Sequence, residues 1–151
     1  MARKNTIKFN KKQFFTLLKA AYIADWIANA HDVEMVKNEY SDLQDYIFSK
    51  AKEYGFDEFV DHDKKDGDKY YPTRIFEEDT DVHEKIKDYE EESFWQELID
   101  RMAGYEVSQK LTPKELEKLE RNEFFEKLYE AKERLSEEFE KNGIKRLSII
   151  E

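Results

Sequence analysis

No cysteine occurs in this chain. That absence excludes disulfides, thiolate metal sites and a cysteine nucleophile. Secreted domains of this size often carry disulfides, so a cytoplasmic location is expected. Glycine is almost as scarce, with Gly55, Gly67, Gly104 and Gly143 the only four. Dinucleotide fingerprints, phosphate loops and the G-x-S-x-G elbow need glycine where backbone approaches phosphate or makes a strained turn, and none of these spacings supplies it. Long apolar runs are missing too. The longest, Ala20 to Ala30, is interrupted by Asp25 and Asn29, well short of the roughly 18 uncharged residues of a membrane span. The opening Met-Ala-Arg-Lys leads into polar chain, so no secretory leader is expected.

What is abundant is charge and aromatic rings. Of 151 residues, 41% are charged, and the net charge is −10. Such a balance opposes direct binding to nucleic acid or to an anionic membrane, both of which need clustered Lys and Arg. It permits a basic protein partner. Only 39% of residues are apolar, yet 11 Phe and 9 Tyr are among them. Each large ring can remove about 150–250 Å² from water, so a core of rings needs fewer residues. One folded domain over residues 1–151 is expected.

The apolar spacing predicts a mainly α chain, a helical bundle of about four main helices. Asn10 with Gln13 forms a capping box for a first helix over 11–30. Its apolar residues, from Phe14 to Ile27, cover most of the circumference, so this helix should be central. A second helix is expected over 35–54, with Val36, Tyr40, Leu43, Ile47, Ala51 and Tyr54 as its stripe and a Schellman ending at Gly55-Phe56. Residues 57–80 read as irregular, with a polar turn over 61–68. Asp81 and Glu84 announce a third helix to about Met102, with a break near Glu90 to Glu92, and 104–111 as a connection. Thr112-Pro113-Lys114-Glu115 starts a last helix that should run unbroken to Asn142 before Gly143. Residues 6–9 and 144–150 have strand-like composition, which allows a two-stranded ribbon of the chain termini.

Catalytic and metal motifs fail residue by residue. An EF-hand reading from Asp61 meets Lys65 at position five, Asp66 where glycine is needed and Pro72 where a glutamate must stand. His83-Glu84 begins a zincin motif, but Lys87 replaces its second histidine. No catalytic residue, metal ligand or cofactor is therefore assigned.

Two sets of residues are candidate binding sites. Asp25, Asn29 and Asp32 share one face of the first helix with Phe14, Leu18, Ala21 and Tyr22. The face turns from apolar to polar in its last two turns. Its acids should either pair with Arg74 or Arg101, emerge into water, or line a polar pocket at the end of the bundle. Tyr70 and Arg74 flank Pro72 after the acidic turn and are expected on a partner-binding surface, with Tyr71 and Phe76 folding back onto the core. The function that follows is a non-enzymatic protein-interaction or regulatory module with an unidentified protein partner. Two alternatives stand beside it. One is an acidic nucleic-acid mimic, built on the Asp/Glu runs at 57–68, 77–81 and 90–92. The other is a metal-dependent hydrolase using Asp25, Asp32 and a histidine.

Overall fold

The computed structural model describes residues 6–31, 38–65 and 67–148. The chain is mainly α, with four long helices and one two-stranded antiparallel sheet. It divides into two compact units, Met1–Lys87 and Asp88–Glu151.

The first unit begins with α1 (Lys11–Asn29), which starts where the capping box places it. Gln13 N–H donates to Asn10 Oδ1 at 2.9 Å, and Asn10 N–H donates to Gln13 Oε1 at 3.0 Å. Phe14, Leu18, Ala21 and Tyr22 form its buried stripe. The second helix, α2 (Glu39–Phe48), is shorter than expected, and a 3-10 turn, Ala51–Tyr54, continues the chain. The expected start at Met35 and Val36 lies outside the described residues. Tyr40 and Leu43 do not bury; they are 47% and 53% exposed. The polar part of α2 instead turns Ser41, Gln44 and Asp45 inward over a cleft, and only Ile47 and Phe48 of this helix are buried. The Schellman ending forms as read. Phe56 N–H donates to Ala51 O and Gly55 N–H to Lys52 O, both at 3.1 Å, with Gly55 at φ +73°.

The segment read as irregular holds the sheet. Strands β1 (Val60–Asp63) and β2 (Lys69–Pro72) pair antiparallel, with His62 opposite Tyr70. Four-residue strands carrying Asp, His and Lys leave too little alternation to be read beforehand. Gly67 and Asp68, both at positive φ, shape the connection. Thr73 then caps a short helix, α3 (Arg74–Asp79). Phe76 on α3 is fully buried, as expected. It meets Phe48 edge-on at 5.2 Å and Tyr22 at 5.6 Å. Val82 and Ile86, from the first turns of α4 (Val82–Lys110), close this core.

The second unit takes the rest of α4, then α5 (Pro113–Lys118) and α6 (Arg121–Asn142). Three expectations are corrected here. Helix α4 is continuous through Glu90–Glu92. It also runs through Gly104 to Lys110, because Ile99, Ala103 and Val107 extend an i, i+4 apolar row that outweighs a glycine costing about 0.5–1 kcal/mol. The last helix is broken. The Thr112 capping box forms, but Leu119 is extended, at ψ 126°, and α6 restarts at Arg121. The apolar spacing predicts that interruption in hindsight: Leu119 to Phe124 is a five-residue step that one straight helix cannot keep on one face. Ala131, Leu135 and Phe139 on α6 share a core with Ala103 and Val107.

The expected ribbon of the termini is also corrected. Residues 6–10 are not in a strand; Ile7 is exposed, and Phe9 packs against the first core. Gly143–Arg146 forms a 3-10 turn, residues 147–148 are irregular, and Ile149 and Ile150 lie outside the described residues. A strand needs a partner for its backbone groups, and among the described residues the pairing is made inside 60–72.

Candidate binding cleft

In the first unit, the end of α1, the polar half of α2 and strand β2 enclose a cleft of about 530 Å³. Tyr22 and Trp26 come from α1, and Tyr70, Tyr71 and Pro72 from β2. Between these apolar walls stand Asp25, Asp42 and Asp45, with Asn29, Ser41, Gln44 and Lys69 also on the lining. Ligand sites commonly combine such walls with a few placed polar groups.

A hydrogen-bond network builds the polar side. Asp25 Oδ1 accepts from Asn29 Nδ2 at 2.8 Å and from Ser41 Oγ at 2.7 Å. Asn29 Oδ1 accepts from Asn38 Nδ2 at 2.5 Å. Asn38 Oδ1 in turn accepts from the backbone N–H groups of Tyr40 and Ser41, at 3.0 and 3.2 Å, and so caps α2. One asparagine therefore starts α2 and ties it to the last turn of α1. On the opposite wall, Asp45 Oδ1 accepts the Tyr70 N–H at 2.7 Å. The tyrosine ring stacks on His62 at 4.2 Å and 3°, and Asp68 holds His62 at 2.6 Å.

These bonds use one oxygen of Asp25 and one of Asp45. Among the described residues, no cation pairs with Asp25, Asp42 or Asp45, and the second oxygens of Asp25 and Asp45 have no hydrogen-bond partner. The expected ion pair of Asp25 with Arg74 or Arg101 is not made. Arg74 Nε binds Glu78 at 2.7 Å, and Arg101 Nε binds Glu97 at 2.9 Å. At the inner end, Tyr22 donates its hydroxyl proton to Glu77 Oε1 at 2.7 Å, with His83 Nε2 3.4 Å away. Burial above all, then the Glu77 bond and charge and the Asp25 charge, push the Tyr22 phenol far above its ordinary range. Tyr22 is thus a fixed donor, not a base.

Of the residues singled out from sequence, Asp25, Asn29 and Tyr70 meet in this cleft. Asp32 lies outside the described residues. Arg74 does not line the cleft; its side chain is 84% exposed. Tyr70 is half-buried and not freely exposed, and Tyr71, expected in the core, is exposed on the cleft lining. Sequence reasoning missed Trp26, Asp42 and Asp45 as lining residues. The i, i+3 spacing of Asp42 and Asp45 was the available signal, since it puts both on one face of α2.

His62 and His83 have the separate partners just given, and among the described residues no group of three or more His, Asp or Glu is placed to hold a metal ion. Among the same residues no helix is long and apolar enough to cross a membrane. Comparison with protein-family models, with curated proteins and with solved structures gives no match.

Proposed function

We propose that this chain is a non-enzymatic protein-interaction module, and that its cleft receives a basic segment of a protein partner. One observation carries the reading: three carboxylates that pair with no cation among the described residues line an aromatic-walled cleft. A lysine or arginine side chain fits that chemistry on both counts. Its charge answers the free carboxylate oxygens, and its stem and cation lie favourably against Trp and Tyr rings. Lys69 leaves the lining with a surplus of negative charge. The net charge of −10 adds long-range attraction for a basic partner.

Calorimetric titration of the whole chain with lysine- and arginine-rich peptides tests this. Asp42→Asn with Asp45→Asn should weaken binding about tenfold or more, since a bond to a charged group contributes about 1.5–3 kcal/mol. Asparagine at 45 keeps an oxygen for the Tyr70 N–H, so the fold should survive. Equal binding by the double variant, or binding of an acidic peptide of the same length, would defeat the assignment.

A further inference from the structure

The second unit carries an unrelated feature on α6. Arg121, Phe125, Tyr129 and Glu133 follow one another at i, i+4 and form one stripe. Phe125 and Tyr129 are 50% and 63% exposed. The Arg121 guanidinium sits 5.5 Å from the centre of the Phe125 ring. The Glu133 carboxylate, one turn further on, holds the Tyr129 phenol above its ordinary pKa. Half-buried Leu128 and Lys132 border the two rings. Among the described residues, Arg121 pairs with no carboxylate and Glu133 with no cation.

The stripe reads positive, aromatic, aromatic, negative. Turned end for end by a two-fold axis, that order is its own complement. Arg121 then meets Glu133 of the copy, and Phe125 meets its Tyr129. A parallel copy would set Arg121 against Arg121. In the commonest helix packing, the i±4 ridges of two helices lie alongside each other, and this stripe is such a ridge. We infer that a second copy of this chain docks antiparallel on the outer face of α6, in an isologous dimer.

The stripe runs from Arg121 to Glu133, 13 residues and about 18 Å of helix. A contact of that length is smaller than a permanent interface, so the dimer exchanges with monomer. Two chains of net charge −10 repel each other, but at physiological salt screening over about 8 Å leaves mainly the charges at the contact.

Sedimentation equilibrium of the whole chain, from micromolar to millimolar concentration, reads the outcome. The mean mass should rise toward twice the monomer. Arg121→Glu and Glu133→Arg should each stay monomeric, because each gives a stripe with like charges at both ends. An equimolar mixture of the two should associate again, since one stripe is then negative at both ends and the other positive. Phe125→Ala with Tyr129→Ala, at two exposed positions, should also remain monomeric while its circular dichroism matches the parent. A parent that stays monomeric at millimolar concentration, single variants that associate as it does, or a mixture that stays monomeric would each overturn the dimer.

Discussion

The first unit closes its core with rings, and the second closes its core along a helix seam. Phe14 and Tyr22 from α1, Phe48 from α2 and Phe76 from α3 share the first core; Phe76 meets Phe48 edge-on and Tyr22 at a tilt, and Phe14 stacks on Tyr54. Ala103, Val107, Ala131 and Leu135 in the second come from two helices, and Phe139 is the one large ring buried with them. Rings gathered from short elements bury much area per residue but fill space coarsely, and a cleft remains beside them. Small residues on long helices let backbones approach; Trp95 and Phe124 pack half-buried against that core, while Tyr89, Phe94, Tyr105, Phe125 and Tyr129 stay exposed. The first unit thus has a concave candidate site and the second a convex one.

The largest expected difference between the units is in core truncation. Phe48→Ala should cost about 3–5 kcal/mol, because several elements rest on one ring and cannot all relax. Leu135→Ala should cost about 2–3 kcal/mol, near the low end for leucine, since half-buried neighbours such as Leu98 and Met102 can move into the space. Urea unfolding of both variants measures this. A larger loss at Leu135 would reverse the ranking of the two cores.

A smaller effect should follow from the asparagine that ties α2 to α1. Asn38→Ala removes the cap and the bond to Asn29, at about 1 kcal/mol for the cap alone. Faster hydrogen exchange at the Tyr40 and Ser41 amides, with α6 unaffected, is the expected signature. Unchanged exchange would mean that α2 starts without this cap.

Alkaline pH separates the units further. The Tyr22 pKa in the folded chain lies above its ordinary value of 10.0. The protonated phenol is therefore favoured by folding, and its contribution is complete below pH 10 and declines as pH rises above that value. Thermal melts at rising alkaline pH should show the parent losing stability more steeply than Tyr22→Phe. Parallel profiles would remove the buried, Glu77-bound phenol as a source of pH-dependent stability.

The smallest effect should be a gain. Gly104 is helical, and an added Cβ would meet nothing within 4 Å. Gly104→Ala should stabilise the chain by about 0.5–1 kcal/mol in a thermal melt. A loss would place an unseen constraint on α4.

Local chemistry was readable in advance wherever a few neighbouring residues decide the outcome. Asn10 with Gln13, Gly55 with Phe56 and Thr112 with Glu115 each complete their own hydrogen bonds within three to five residues, and all three termini stand where the sequence puts them. The mainly α class follows from the same short-range periodicity. The candidate site was readable only in part. Asp25 and Asn29 stand out as polar residues on an apolar face, and Tyr70 as a ring beside a turn. Asp42 and Asp45 look like ordinary solvent-facing acids until β2 is laid against α2.

By itself, then, the sequence determined the helix caps, the buried stripe of α1 and the scarcity of cysteine and glycine that removes whole classes of chemistry. Tertiary structure alone decided that 60–72 folds into a hairpin, that α4 runs through Gly104, and that Asp25 answers Ser41 and Asn29 while Arg74 turns to Glu78. The reason is range. Caps and periodicity act within one or two helical turns, whereas a cleft, a strand pair and the partner of a carboxylate depend on residues that only folding brings together.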